Sequence, residues 1–169
     1  MLSLRLRSAV YTSLIPGFFG GYVPWKISGL EAVTPFLPLA LCYLTGSLLI
    51  IVGTLLILFS SYYLARRGIG TPFPLDPPQR MVVAGPYAYI QHPMVLGLTA
   101  ILLGQTLCYQ SAYLLLYSLF SFFSALLFVL YIEEPELKGR FGTDYTAYWS
   151  VIPRWIPSSE FLKRTERPL

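Results

Sequence analysis

Two long uncharged runs set the pattern of this chain. Ala32 to Ala65 is 34 residues without Asp, Glu, Lys or Arg, and the run from Met81 to Ile132 is longer still. A bilayer-spanning helix needs roughly 20 apolar residues. The first run therefore predicts one span, within FLPLALCYLTGSLLIIVGTLLILFSSYYLA. The second is too long for a single helix. A break at CYQSAY divides it into a short span from Pro93 to about Cys108 and another from about Ala112 to Ile132, a tight helical hairpin in the bilayer. Ser8 to Trp25 is a fourth apolar segment, interrupted by Pro16, Gly17, Gly20, Gly21 and Pro24. Membrane helices tolerate such residues, so it reads either as a broken span or as a half-inserted one. Arg5 and Arg7 before it look like the start of a signal peptide, but no clear cleavage site follows and a first membrane segment is the better reading. The pattern predicts an all-α integral membrane bundle of about four helices.

Composition agrees. Hydrophobic residues make up 55% of the chain and charged residues 12%, about half the charge of an average soluble protein. The mean hydropathy is +0.60. The charge of +4 would hint at nucleic acid in a soluble domain, but its placement explains it differently. With four spans, eleven of the twelve cationic residues fall on one side and only Lys26 on the other. The positive-inside rule makes that side cytoplasmic, including both termini and the Pro-rich loop RRGIGTPFPLDPPQR. No nucleic-acid partner is needed. Residues 1–75 read as N-terminal membrane segments with this loop. Residues 76–169 read as a motif-bearing half with two membrane helices and a cytoplasmic C-terminal segment.

Small residues recur at helical spacing. Gly46 and Gly53 are seven apart, as are Gly97 and Gly104, so each pair lies on one helix face and predicts a close-packed seam. Ser118, Ser121, Ser124 and Ala125 repeat the theme. Cys42 and Cys108 sit in apolar runs and read as small hydrophobes.

The chemistry concentrates in two stretches. GPYAYIQHPMVLG, Gly85 to Gly97, holds the only histidine. Pro93 suits the first turn of a helix, which places His92 near its N-cap, where the helix dipole and free N–H groups favour an anion. Tyr87 and Tyr89 lie just outside and read equally as an interfacial aromatic belt. The second stretch, YIEEPELKGRFGTDYTAYWSVIPRWIP, carries Glu133 and Glu134 at the expected end of the last span. There they oppose the dipole and read either as a site for a cation or hydroxyl-rich ligand, or as acids in water or paired with Lys138 or Arg140. Both stretches emerge on the same face, an arrangement suited to a zwitterionic or polar cofactor. A single histidine supports no histidine-based metal set, and no metal site is expected. GIGTPF lacks the third glycine of a dinucleotide fingerprint, and G-x-S-x-G and P-loop motifs are absent, so no Rossmann domain is expected.

These two stretches, about forty residues apart, resemble the isoprenylcysteine carboxyl methyltransferases and their bacterial relatives, with a looser likeness to phospholipid N-methyltransferases. The resemblance covers roughly Asp76 to Pro157. It implies a membrane-embedded enzyme that uses S-adenosylmethionine without a Rossmann domain, with its active site on the cytoplasmic side of a bacterial inner membrane. It also implies a cofactor site formed by Gln79, Arg80, Met81, Val82, Tyr87, His92, Pro93, Met94, Val95 and Glu133. Glu134 is the nearest candidate base. In the eukaryotic prenylcysteine enzymes an arginine thought to meet the substrate carboxylate stands one turn before the acids. Val129 occupies that place here, which argues against such a carboxylate substrate unless Arg154 folds back to replace it.

The expected activity is methyl transfer to a lipid-anchored or membrane-partitioning acceptor, with a phospholipid amine or a thiol as alternatives. A sterol-type reductase using NADPH and a non-catalytic membrane scaffold are the rivals. The first is disfavoured by the short chain, the second by the paired motifs.

Overall fold

The computed structural model describes residues 10, 13–14, 16–29, 38–69 and 78–156. Arg5, Arg7, Lys163, Arg164, Arg167 and most of the Pro-rich loop lie outside these residues. All regular elements among the described residues are helical. A π turn, Phe18–Tyr22, leads into α1, Val23–Ser28. Helix α2, Leu39–Tyr63, runs into a second π turn, Leu64–Gly68. A 3-10 turn at Gly85–Ala88 precedes α3, Pro93–Tyr109, and α4, Ala112–Phe128. A third π turn, Val129–Glu133, continues into α5, Glu134–Phe141, and then α6, Thr143–Val151.

The apolar runs form the helices expected of them. The continuous helical stretches Leu39–Gly68 and Ala112–Phe141 are each 30 residues long and apolar enough to cross a membrane, while α3 is a shorter apolar helix. Their large side chains point outward: Leu44 is 71% exposed and Phe120 70%. A core helix of a soluble protein would bury such residues, whereas a lipid-facing helix presents them to acyl chains. The protein is a membrane protein. The hairpin between α3 and α4 turns where the sequence predicts. Gln110 adopts a left-handed conformation at the C-cap of α3 (φ +47°), and the Ser111 hydroxyl accepts a hydrogen bond from the Leu114 N–H as the N-cap of α4.

The glycine seams meet each other. Helices α2 and α3 run antiparallel, with Gly46 against Gly104 and Gly53 against Gly97. A Cβ added at Gly46 would lie 2.6 Å from the Gly104 carbonyl oxygen, and one at Gly97 would lie 2.8 Å from that of Gly53. The two backbones are therefore in direct contact, the geometry that small residues permit in membranes. The seam expected of α4 is different: Ser118 is buried against Thr106 of α3 at 3.1 Å.

Side chains of the bundle donate to carbonyls of the N-terminal π turn. Gln105 of α3 donates to the Gly20 carbonyl at 2.6 Å, and Tyr117 of α4 donates to the Phe19 carbonyl at 2.9 Å. The segment from Pro16 to Tyr22 is continuously helical despite its glycines. Whether it belongs to a full span lies outside the described residues.

The acidic end of the last span departs from expectation. Glu133 and Glu134 do not terminate a helix. The chain widens into the π turn and runs on as α5, with Pro135 just inside that helix; Pro135 has no N–H to donate to the turn before it, and the π turn lies where that bond is missing. The two acids therefore occupy a π-to-α junction and do not oppose a C-terminal dipole.

Candidate functional site

The site assembles at the end of the bundle where α3 begins. Gly85 sets the approach to α3. Its φ of +59° favours glycine, and a Cβ there would sit 2.9 Å from Cγ of Tyr63 in addition to closer ring atoms, so no larger residue fits. The chain then passes Tyr87 and reaches His92, the N-cap of α3.

His92 is almost fully buried between the two acids of the π junction. Its Nδ1 lies 3.7 Å from Glu133 Oε2 and its Nε2 lies 3.6 Å from Glu134 Oε1. The helix start read from sequence as an anion site is thus faced by two of the protein's own carboxylates. Glu134 is held in turn by Arg154, with Nη2 donating to Oε2 at 2.9 Å and Nε 2.9 Å from Oε1. Arg154 also lies over the Trp149 ring, 5.3 Å from its centre. Arg140, a partner weighed for these acids from sequence, bonds Glu136 instead and donates to the Pro78 carbonyl at 3.2 Å.

The segment after α6 closes over this constellation. The Gln91 N–H donates to the Pro153 carbonyl at 3.1 Å, and the Gln91 side chain donates to Ile152 O. Trp155 packs 5.5 Å from the His92 ring and 6.1 Å from Phe122, centre to centre. Tyr148 of α6 donates to the Tyr87 carbonyl at 2.8 Å. These contacts join stretches about sixty residues apart in the chain.

Beneath them lies a cleft of about 720 Å³. Arg80, Met81, Val82, Tyr87, His92, Pro93, Met94, Val95 and Glu133 all border it, so nine of the ten residues singled out for a cofactor come together. Gln79 does not border it; its side chain is exposed and its N–H donates to the Gly68 carbonyl at 2.8 Å. The other end of the cleft is apolar and runs between α3 and α4 past Leu98, Ser121, Ala125 and Phe128. Each π turn contributes one wall residue: Phe19, Leu64 and Glu133. π turns frequently occur at functional sites because the extra residue redirects side chains. Glu134 borders a second, smaller cavity of about 470 Å³ together with Lys138, Tyr145 and Trp149. Glu134 and Arg154 therefore engage each other beside the main cleft without lining it.

A model of the phospholipid methyltransferase family matches residues 41–144, well over half of the chain. The chain belongs to the phospholipid methyltransferase family. No curated protein and no solved structure matches it. The family match begins in α2 and ends at the start of α6, so it takes in both glycine seams, the His92 helix start and the Glu133–Glu134 junction. It identifies this protein as a membrane methyltransferase of the phospholipid and isoprenylcysteine type.

Two functional candidates of this phospholipid methyltransferase family member were missed in the sequence. Tyr145 and Tyr148 border the cleft from α6. Burial pushes the Tyr148 phenol above its ordinary range, with neighbouring Tyr145 adding to the shift. Burial likewise raises Tyr87, reinforced by the charge of Glu133. Their spacing of three was the available signal, since it places both on one helix face. Among the described residues no cluster of His, Cys, Asp and Glu could hold a metal ion.

Proposed function

We propose that this methyltransferase uses S-adenosylmethionine and methylates an apolar or lipid-anchored acceptor that reaches the cleft from the bilayer. The observation that carries this reading is the cleft itself, with one end ringed by Arg80, Tyr87, His92 and Glu133 and the other apolar between two membrane helices. The residues fit such a cofactor. Buried His92 Nε2 has no hydrogen-bond partner among the described residues, and acids, cations and a neutral aromatic ring border the same space, as a zwitterion bearing a sulfonium requires. When bound, S-adenosylmethionine supplies an electrophilic methyl group on sulfur.

The chain's own residues bind, orient and exclude water. Glu133 borders the main cleft together with Glu136; Glu136 is paired with Arg140, which leaves Glu133 as the carboxylate suited to the cofactor's ammonium or ribose hydroxyls. Tyr87 stays protonated and offers a neutral ring to a cation. The strap around Pro153 and Trp155 covers His92, while Arg80 and Glu133 at the same end remain accessible. Holding two reactants in line in a closed cleft accounts for the main part of catalysis in such a reaction. Glu134 is neutralised by Arg154, so it serves the site by anchoring the strap, and proton removal from an acceptor falls more naturally to Glu133.

The acceptor favoured is a neutral amine or thiol on an apolar body. Val129 stands one turn before the acids, where the prenylcysteine enzymes that the sequence resembles carry an arginine; it is fully buried and offers no cation. Arg154, the substitute weighed from sequence, is engaged with Glu134, and an unpaired carboxylate against apolar surface loses several kcal/mol, roughly, in desolvation. The charge distribution favours a cytoplasmic location for this end in a bacterial inner membrane. Cysteine labelling at positions 67 and 26 should react from opposite faces, and labelling of both from one face would overturn that orientation.

The decisive test is calorimetry of purified protein with S-adenosylhomocysteine and with NADPH. The expected result is binding of the first alone. Binding of NADPH alone would favour a reductase. Methyl transfer in nanodiscs containing phosphatidylethanolamine, an alkyl thiol or N-acetyl-farnesylcysteine would then rank the acceptors.

A further inference from the structure

Three buried side-chain atoms at the border of the main cleft have no hydrogen-bond partner among the described residues: Gln91 Oε1, His92 Nε2 and the Tyr145 hydroxyl. Buried polar groups in folded proteins are almost always paired, so such a cluster points to a polar ligand. Tyr145 is the most informative of the three. Its side chain is only 5% exposed and borders both the main cleft and the smaller cavity.

Tyr148, one turn further along α6, provides the comparison. Its hydroxyl donates to the Tyr87 carbonyl at 2.8 Å, so that hydroxyl serves the fold. The Tyr145 hydroxyl serves no described contact in the fold. A phenylalanine would bury the same ring without stripping a hydroxyl of water, so the fold alone gives no reason for a tyrosine. The charged groups around it are Glu134 on α5, Glu133 on the π turn and Arg154 on the strap. Burial, followed by the two carboxylates, pushes its pKa up to about 12 against the lowering effect of Arg154. The group therefore remains a donor at neutral pH.

We propose that the Tyr145 hydroxyl is a positioning group that donates a hydrogen bond to an oxygen or nitrogen lone pair of the molecule bound in the cleft. This rests on the methyltransferase reading above. The lone pair has two sources, the carboxylate or ribose of the methyl donor and the polar head of the acceptor, and the experiment separates them.

The test compares Tyr145→Phe and Tyr148→Phe with the parent protein by thermal unfolding, calorimetry with S-adenosylhomocysteine and methyl-transfer kinetics in nanodiscs. Tyr148→Phe should melt lower. Tyr145→Phe should melt at the same temperature or higher, and should lose about three- to tenfold in ligand recognition. Loss of S-adenosylhomocysteine affinity assigns the bond to the methyl donor; a rise in acceptor KM at unchanged affinity assigns it to the acceptor. A lowered melting temperature in Tyr145→Phe would show that the hydroxyl has a structural partner and would overturn the proposal. Unchanged affinity and kinetics would overturn it as well. A parent protein that fails to bind S-adenosylhomocysteine would overturn the underlying reading, while the melting comparison would still decide whether the hydroxyl serves the fold.

Discussion

Arg154 holds Glu134 by a hydrogen bond from Nη2 to Oε2 at 2.9 Å, while its Nε lies 2.9 Å from Oε1 as an ion-pair contact without hydrogen-bond alignment. The pair fastens the strap that follows α6 to the π junction twenty residues earlier. Arg154→Ala should cost about 1–2 kcal/mol, the lower part of the range for a charge-assisted pair because the guanidinium is partly exposed. It leaves Glu134 as a largely buried, unpaired carboxylate. Glu134→Gln in the same chain should therefore recover part of the loss, and a double-mutant cycle of melting temperatures measures the coupling.

Opposite outcomes are expected for a glycine inside the α2–α3 seam and one outside it. Gly46→Ala places a methyl 2.6 Å from the Gly104 carbonyl oxygen. Backbone cannot yield as a side chain would, so a loss of about 1–3 kcal/mol is expected. Gly139 in α5 has nothing within 4 Å of a built Cβ, and Gly139→Ala should stabilise by about 0.5–1 kcal/mol through helix propensity. Thermal unfolding in detergent reads both.

The charged end of the cleft gives a binding prediction. Glu133→Gln keeps the shape of the side chain and removes its charge, while His92→Ala removes the group between the two acids. Each should weaken S-adenosylhomocysteine by roughly tenfold or more, the scale of one lost charge-assisted hydrogen bond. Calorimetry on both variants checks this, and undiminished affinity in both would place the ligand elsewhere.

Tyr87, Tyr145 and Tyr148 all lose protons less readily in the folded protein than tyrosine ordinarily does. With the folded-state pKa raised, the unfolded chain releases these protons first as pH rises. The stability these tyrosines contribute should be constant below about pH 10 and should fall above it, with the contribution of Tyr145 fading between pH 10 and about 12. Melting curves from pH 8 to 11 test the sign, and Tyr148→Phe should shallow the decline.

The local parts of this architecture were readable from the chain. Pro93 announced α3, the polar CYQSAY break announced the turn at Gln110 and Ser111, and the two glycine pairs announced a seam. His92 and Glu133 could be matched because both stand at the same end of neighbouring helices. The π turns were not readable, since apolar runs have no period that marks one extra residue. That residue turns every later side chain by about 100° about the helix axis. Glu134 consequently points to Arg154 instead of water, and α5 continues where a helix end was expected. For Tyr145 and Tyr148 the spacing of three marks one shared helix face, but that this face meets the cleft depends on how α6 folds back after Gly142, a long-range placement that no local pattern encodes.

Where α2 and α3 touch through glycine, each glycine faces a carbonyl oxygen of the other helix, flanked by Ile50, Ile57, Ala100 and Ile101. A backbone contact has less room to adjust than a side-chain contact, so the two helices are expected to move as one plate. The opposite wall, α4 and the N-terminal π turn, is then where movement that admits a bulky acceptor is expected, and its ties to the plate include the single hydrogen bond from Gln105 to the Gly20 carbonyl. Spin labels on α2 and α3 should keep their separation when ligand binds, while a label near Phe19 should move relative to both. Rigidity on one side thus leaves the other side as the door.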